Sequence, residues 1–199
     1  MFKRGDFFMY ILALNASPRK NSNVSFLINE VLDKCAQMGA KTEEVYVADS
    51  LATAKFPFCV VCSNPCSGVC YRGTGLEELF EKMKKADALI FGSPVYFGSM
   101  SAQLKALFDK TRRLRGEKAF VGKPCGFIAV GASRFGGQEA TIAAMHAMAL
   151  VQGMTVLGTG HPDVDAGHLG ISAQQPAKDD EFAKSRCKSL ALRIMELKR

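Results

Sequence analysis

Tryptophan is absent from the 199 residues, and histidine occurs only three times. No basic stretch alternates with aromatics, as single-strand nucleic-acid binders require. Lys and Arg exceed Asp and Glu by 26 − 19 = 7. The basic residues are spread along the chain, apart from Arg112-Arg-Leu-Arg115 and the C-terminal helical stretch. A small anionic ligand accounts for this excess, so nucleic acid is not the expected partner. No apolar run approaches the ~18 residues a membrane-spanning helix needs, so no membrane partner is expected. G-x-x-x-x-G-K-[ST] and G-x-G-x-x-G are missing, which argues against a Walker loop and a dinucleotide fingerprint. H-E-x-x-H and any Ser-His-Asp order are missing too, so no acid/base or nucleophilic triad is expected.

Lys3 and Arg4 precede eight apolar residues, Phe7 to Leu14, a pattern resembling a short signal peptide. The same residues serve better as a first strand, because removing them would delete the start of an α/β pattern. Seven cysteines, an odd number without a convincing export signal, point to a reducing cytoplasm.

The chain is 48% hydrophobic and 23% charged, a globular composition. Met9 to Leu14 has a buried strand's length and composition. Val24, Leu27, Ile28, Val31, Leu32 and Cys35 then follow helical spacing. Lys41 to Val47 reads as the second strand, Ala88 to Gly92 as the third, Pro124 to Val130 as the fourth and Met154 to Gly158 as the fifth. Thr74-Gly-Leu-Glu77 has the form of a capping box before a helix. Residues 48–75 read as an irregular cysteine-rich insertion, and residues 159–177 as irregular before a last helix from about Asp179. With no linker or repeat, residues 1–199 read as one domain, 159–199 forming a lid segment and helix. Strands alternating with helices predict a doubly wound, five-stranded parallel sheet of order 2-1-3-4-5, covered on both faces.

In that order, three loops converge beyond the strand ends. The first, Ser17-Pro-Arg-Lys-Asn-Ser-Asn23, joins a strand to a helix N-terminus, where free N–H groups and the helix dipole favour an anion. Ser17, Arg19, Asn21, Ser22 and Asn23 add donors, and the loop has no carboxylate; this set suits a terminal phosphate. The second, Ser93 to Ser99, contains Pro94, Val95, Tyr96, Phe97 and Gly98. Its flat side chains and free backbone N–H groups suit a heteroaromatic ring edged with acceptors. The third, Gly131 to Gly137, holds Ser133, Gly136 and Gly137 and could carry the ring's other edge. His146 reads as a packed helix residue, while His161 and His168 are open to a lid role.

Cys59-x2-Cys62-x3-Cys66-x3-Cys70 places four thiols in one short loop. Thiolates at such spacing bind iron–sulfur clusters or zinc, and free thiols remain an alternative. Cys35, Cys125 and Cys187 fall in apolar patterns and read as core.

Asn15-Ala-Ser-Pro-Arg-Lys-Asn-Ser-Asn23, Ala86 to Asp109 and Gly136-Gly-Gln-Glu139 together resemble the NAD(P)H-dependent FMN reductase family and its iron–sulfur flavoprotein relatives. The resemblance implies a flavodoxin-like fold and FMN. The phosphate would lie on Ser17, Arg19, Ser22, Asn23 and the amide of Val24, and the ring against Pro94 to Gly98 and Ser133 to Gly137. It also implies NAD(P)H as donor and hydride transfer to the flavin, or a [4Fe–4S] cluster on Cys59, Cys62, Cys66 and Cys70 exchanging electrons with FMN. The relatives' cluster spacing differs at the second and third gaps. A homodimer or homotetramer is expected, because the Ala/Met-rich helix 138–152 and the second loop offer more apolar surface than one chain covers.

Overall fold

Strand β1 (Tyr10–Asn15) takes up the apolar run and is buried from Ile11 onward. The computed structural model describes residues 8–197. Lys3, Arg4 and Phe7, the start of the signal-like pattern, lie outside those residues. β1 pairs in parallel with β2 (Lys41–Tyr46) on one side and β3 (Ala88–Pro94) on the other. β4 (Pro124–Gly131) lies beside β3 and β5 (Thr155–Val156) beside β4, so the order is 2-1-3-4-5 as expected.

The fifth position differs from the expectation. β5 spans only Thr155–Val156, and a sixth strand, β6 (Ile171–Gln174), continues the same edge of β4. The stretch read as irregular thus contains a strand. Residues 157–170 leave the sheet and return to it, closed by Thr159 N–H donating to the His168 carbonyl at 3.0 Å. This excursion is fastened to the C-terminal helix α7 (Glu181–Glu196). Arg186 pairs with Asp165, His161 Nε2 lies 3.1 Å from Glu196 Oε1, and Arg193 donates to the Gly160 carbonyl at 3.0 Å. The Arg186 hydrogen bond holds the Asp165 carboxyl below its ordinary pKa.

Alternate residues of each strand face opposite layers. Leu12, Leu14, Leu89 and Phe91 pack with α3 (Gly75–Lys85), α4 (Ala102–Lys110), the short α5 (Arg112–Gly116) and α6 (Gln138–Val151). Ile11, Ala13, Ala88 and Ile90 pack with α1 (Asn23–Gln37) and α7. The insertion is shorter than read: α2 (Val47–Ala52) occupies its start. Thr74 caps α3 as expected, but Glu77 accepts from the Gly73 N–H at 2.7 Å, one residue earlier than in a standard capping box. Helix α6 buries Ile142, Met145 and Ala149, while Leu150 and Val151 are exposed.

Close packing of α1 on the sheet depends on Gly92. A Cβ there would stand 2.8 Å from both Val24 Cγ1 and Ile28 Cδ1. Gly92→Ala should destabilise the fold by ~1–3 kcal/mol, the usual cost of overpacking. Thermal denaturation measures it, and an unchanged Tm would mean that α1 gives way freely.

Candidate functional site

The three loops are joined by specific bonds at the ends of β1, β3 and β4. Ala16 N–H donates to the Gly92 carbonyl at 2.8 Å. The buried Ser101 hydroxyl donates to the Ala16 carbonyl at 2.7 Å, and its N–H donates to Ser93 Oγ at 2.9 Å. The second and third loops touch through glycine. A Cβ on Gly137, where φ is +91°, would stand 2.9 Å from Gly98 Cα. No side chain fits between them, and that φ is strained for other residues.

The first loop is braced from below by Asn15, which is fully buried. Its Oδ1 accepts from the Ser17 N–H at 2.9 Å, and its Nδ2 donates to Glu44 Oε1 at 2.7 Å. Ser25 Oγ donates to the same carboxylate at 2.9 Å. Ser17 Oγ accepts from the Arg19 N–H, and Ser22 Oγ caps α1 by accepting from the Ser25 N–H at 3.3 Å. Asn21 takes a positive φ of 52° at the turn. Arg19, Asn21, Ser22 and Asn23 line one cavity of about 360 Å³, together with Pro176 and Lys178.

Three details refine the donor set. Lys20 also lines the cavity but pairs with Asp49 at 3.0 Å. Asn23 Oδ1 accepts from the Ala177 N–H at 2.9 Å, leaving only its NH2 as donor. Val24 packs inward against Gly92, so its contribution to an anion would be its backbone N–H in the first turn of α1.

The second loop has fewer free donors than expected. Val95 N–H donates to the Val130 carbonyl at 2.9 Å, and Tyr96 and Ser99 exchange backbone bonds of 2.8 and 3.1 Å. Phe97 and Gly98 remain at the turn, both with positive φ, and the Phe97 ring is fully exposed. Pro94 ends β3. In the third loop Gln138, 5% exposed, donates through Nε2 to the Ser133 carbonyl at 2.6 Å and accepts the Gly136 N–H at 2.9 Å. Ser133, Gly136 and Gly137 are thereby held in one turn beside Gly98.

A larger cavity of about 980 Å³ runs from Phe135 and Gly137 to Gln174, Pro176 and Phe182. His168 is on its wall, whereas His161 is buried against Glu196. His146 packs on Phe127, ring centroids 4.9 Å apart, and burial holds it below the usual histidine pKa.

The cysteines divide into two classes. Cys35, Cys125 and Cys187 are fully buried, and burial pushes each thiol up to about 12, so they are inert core groups as expected. Cys59, Cys62, Cys66 and Cys70 are free thiols on the loop after α2. Among the described residues no three His, Cys, Asp or Glu side chains gather to hold a metal ion. Ser63 and Ser67 bond to each other near the loop's exposed end, while Cys70 packs against the core at the other.

Asn15, Glu44, Ser101, Gln138 and Lys178 were not read as site residues from the sequence. Asn15, a turn-favouring residue at the end of an apolar run, carried a usable signal. Nothing local marks Lys178, whose segment is tied to the first loop by the Ala177 N–H donating to Asn23 Oδ1.

A doubly wound sheet with a donor-rich loop at its switch point defines a flavodoxin-like nucleotide-binding protein. The chain belongs to the NADPH-dependent FMN reductase family, whose profile matches residues 9–168. It is 38% identical over 192 residues to an iron–sulfur flavoprotein of Methanocaldococcus jannaschii, covering 95% of this chain and 97% of that one. It is 39% identical over 83 residues to an NAD(P)H dehydrogenase (quinone) of Trichlorobacter lovleyi, covering 42% and 41%. A flavodoxin, WrbA-like protein from Agrobacterium tumefaciens shares the fold, with a TM-score of 0.63 and 16% identity over 94% of this chain and 98% of that one.

Two of the cavity's three cations, Arg19 and Lys178, give a direct test, Lys20 being paired with Asp49. Arg19→Ala and Lys178→Ala should each weaken FMN by ~1.5–3 kcal/mol, the scale of a charge-assisted hydrogen bond. Riboflavin, lacking the phosphate, should be insensitive to both changes by fluorescence titration. Equal losses for the two ligands would remove the phosphate from this loop.

Proposed function

We propose that the chain is an FMN-dependent oxidoreductase that takes electrons from NAD(P)H and passes them to flavin, a quinone or a similar acceptor. One observation carries this reading. The cationic cavity at the α1 N-terminus meets the larger cavity at Pro176, and the larger one reaches Gly137 where it abuts Gly98. The donor chemistry fits a phosphomonoester at one end and a flat ring at the other.

Ser17, Arg19, Asn21, Ser22, Asn23 and the Val24 N–H would hold the FMN phosphate, with Lys178 as an added cation. Pro94, Val95, Tyr96, Phe97, Gly98, Ser133, Gly136 and Gly137 would hold the ring. When bound, FMN supplies the hydride-accepting centre. The chain's own residues then bind and orient, and Gln138 keeps the third loop in shape. The exposed Phe97 and Phe135 rings, with Val121, Leu150 and Val151, offer apolar surface for a second copy, so we read a homo-oligomer. Seven unpaired cysteines suit the reducing cytoplasm. Among the described residues no helix is long and apolar enough to cross a membrane.

A second reading is favoured by the four loop thiols and by the iron–sulfur flavoprotein relative. In it the chain moves electrons between FMN and a [4Fe–4S] cluster on Cys59, Cys62, Cys66 and Cys70. The thiols are the right chemistry but are not gathered, so no electron path is derived through them.

Anaerobic mixing with NADH and NADPH separates the readings. At least one nucleotide should bleach the flavin's visible bands. If neither does, while dithionite does, the nicotinamide reading fails and the second stands. Sedimentation at micromolar concentration should show a dimer or tetramer; a lone species of the monomer's 21.6 kDa would refute the oligomer.

A further inference from the structure

Glu44 lies half-buried in β2, opposite Ala13 of β1, and its side chain takes bonds from two directions. Asn15 Nδ2 donates to Oε1 at 2.7 Å, and Ser25 Oγ donates to the same oxygen at 2.9 Å. With the Ser25 proton committed there, the Tyr46 hydroxyl, 3.0 Å away, is the donor to Ser25 Oγ. An ionised carboxylate accepts and never donates, so every polar group turned toward it has to be a donor. Asn15 must therefore present its NH2 to Glu44 and its Oδ1 to the first loop.

That choice fixes the direction of a chain of bonds running up into the loop. Oδ1 accepts from the Ser17 N–H at 2.9 Å, and Ser17 Oγ accepts from the Arg19 N–H at 3.2 Å. A reversed Asn15 amide would set two donors against each other at Ser17 and an oxygen against the carboxylate. Asn15 is fully buried, so no solvent would satisfy either group. The Ser17 side chain, 3% exposed, ends the chain with one hydroxyl proton that has no acceptor among the described residues. A buried donor without an acceptor is costly, and an anion at the loop would supply one.

We propose that Glu44 sets the polarity of the phosphate loop: it orients the Asn15 amide, and through it Ser17, so that a hydroxyl proton is left for a phosphate oxygen. The inference rests on the reading that this loop holds the phosphate of FMN. Glu44 acts through Asn15 and is a positioning residue. Its charge and its hydrogen bond pull in opposite directions. A carboxylate near an anion site weakens binding by repulsion alone, so removing it would tighten FMN. As the acceptor that orients Asn15 it strengthens binding, so removing it weakens FMN. The sign of the effect decides between them.

The test uses the full chain freed of flavin, titrated with FMN and with riboflavin by fluorescence. Wild type is compared with Glu44→Met, which keeps the bulk but no acceptor, and Glu44→Gln, which keeps an acceptor oxygen but no charge. Glu44→Met should weaken FMN roughly tenfold or more while changing riboflavin by less than about threefold. Its Ser17 N–H should also exchange faster with deuterium, followed by NMR. Glu44→Gln should restore most of the FMN affinity and of the protection. Unchanged FMN affinity in Glu44→Met overturns the inference, as does tighter binding by both variants, which would make the carboxylate only an unfavourable charge. Glu44→Gln binding as weakly as Glu44→Met, or equal losses for the two flavins, overturns it as well. Wild type that binds riboflavin as tightly as FMN overturns the phosphate reading and the inference with it. If Glu44→Met does not fold, as judged by circular dichroism, Glu44→Ala carries the comparison by the same criteria.

Discussion

The pairing of β1 with β3, two strands that are not neighbours in sequence order, sets the geometry of everything that follows. The pair runs in register from Ile11 opposite Ala88 to Asn15 opposite Gly92. Beyond it the chain leaves β1 for α1 on one face and β3 for α4 on the other. The backbones must separate there, and the crevice between them opens at the strand ends. Ala16 N–H on the Gly92 carbonyl and Ser101 on the Ala16 carbonyl hold its two lips. Gly92 has to lack a side chain because α1 lies directly against it.

Charge in the crevice is arranged in layers. Glu44 lies under an anion-binding type of loop, which by itself would oppose an anion. Its carboxylate is engaged by Asn15 and Ser25, so its lone pairs face inward. Above it, Arg19 and Lys178 face the cavity while Lys20 is also drawn toward Asp49. The α1 N-terminus adds its own partial positive charge. The balance at the cavity is positive even though a carboxylate is close by.

The seven cysteines show how one side chain serves two purposes. Three sit in full burial, where desolvation disfavours the thiolate and the group behaves as a small hydrophobe. Four sit on a loop with access to solvent and, at Cys70, with a buried cation beside it. Spacing in sequence shows that four thiols are close along the chain. Whether they share a point depends on the loop's path, which its own serine bonds and the Cys70–core packing decide.

Much of the fold was legible because hydrophobic period is a local signal. The runs at Met9–Leu14, Ala88–Gly92 and Pro124–Val130, and the helical stripe from Val24 to Cys35, determine parallel strands, crossover helices and therefore the sheet order. The first loop's donors and the glycines at 98 and 136–137 were legible for the same reason: a helix start and an open turn are written in neighbouring residues. β6 was not legible, because Ile171–Gln174 is too short to show a period. It becomes a strand only by finding the free edge of β4 after an excursion tied down by α7. Lys178, Gln138 and Glu44 likewise carry no local mark. Each acquires its role from a partner brought near by folding, and a long-range contact is a property of the packed chain. The sequence alone determined the class of fold and the kind of ligand. Tertiary structure decided which side chains line the cavities, which of them are already hydrogen-bonded, and that no three of the four loop thiols gather at one point.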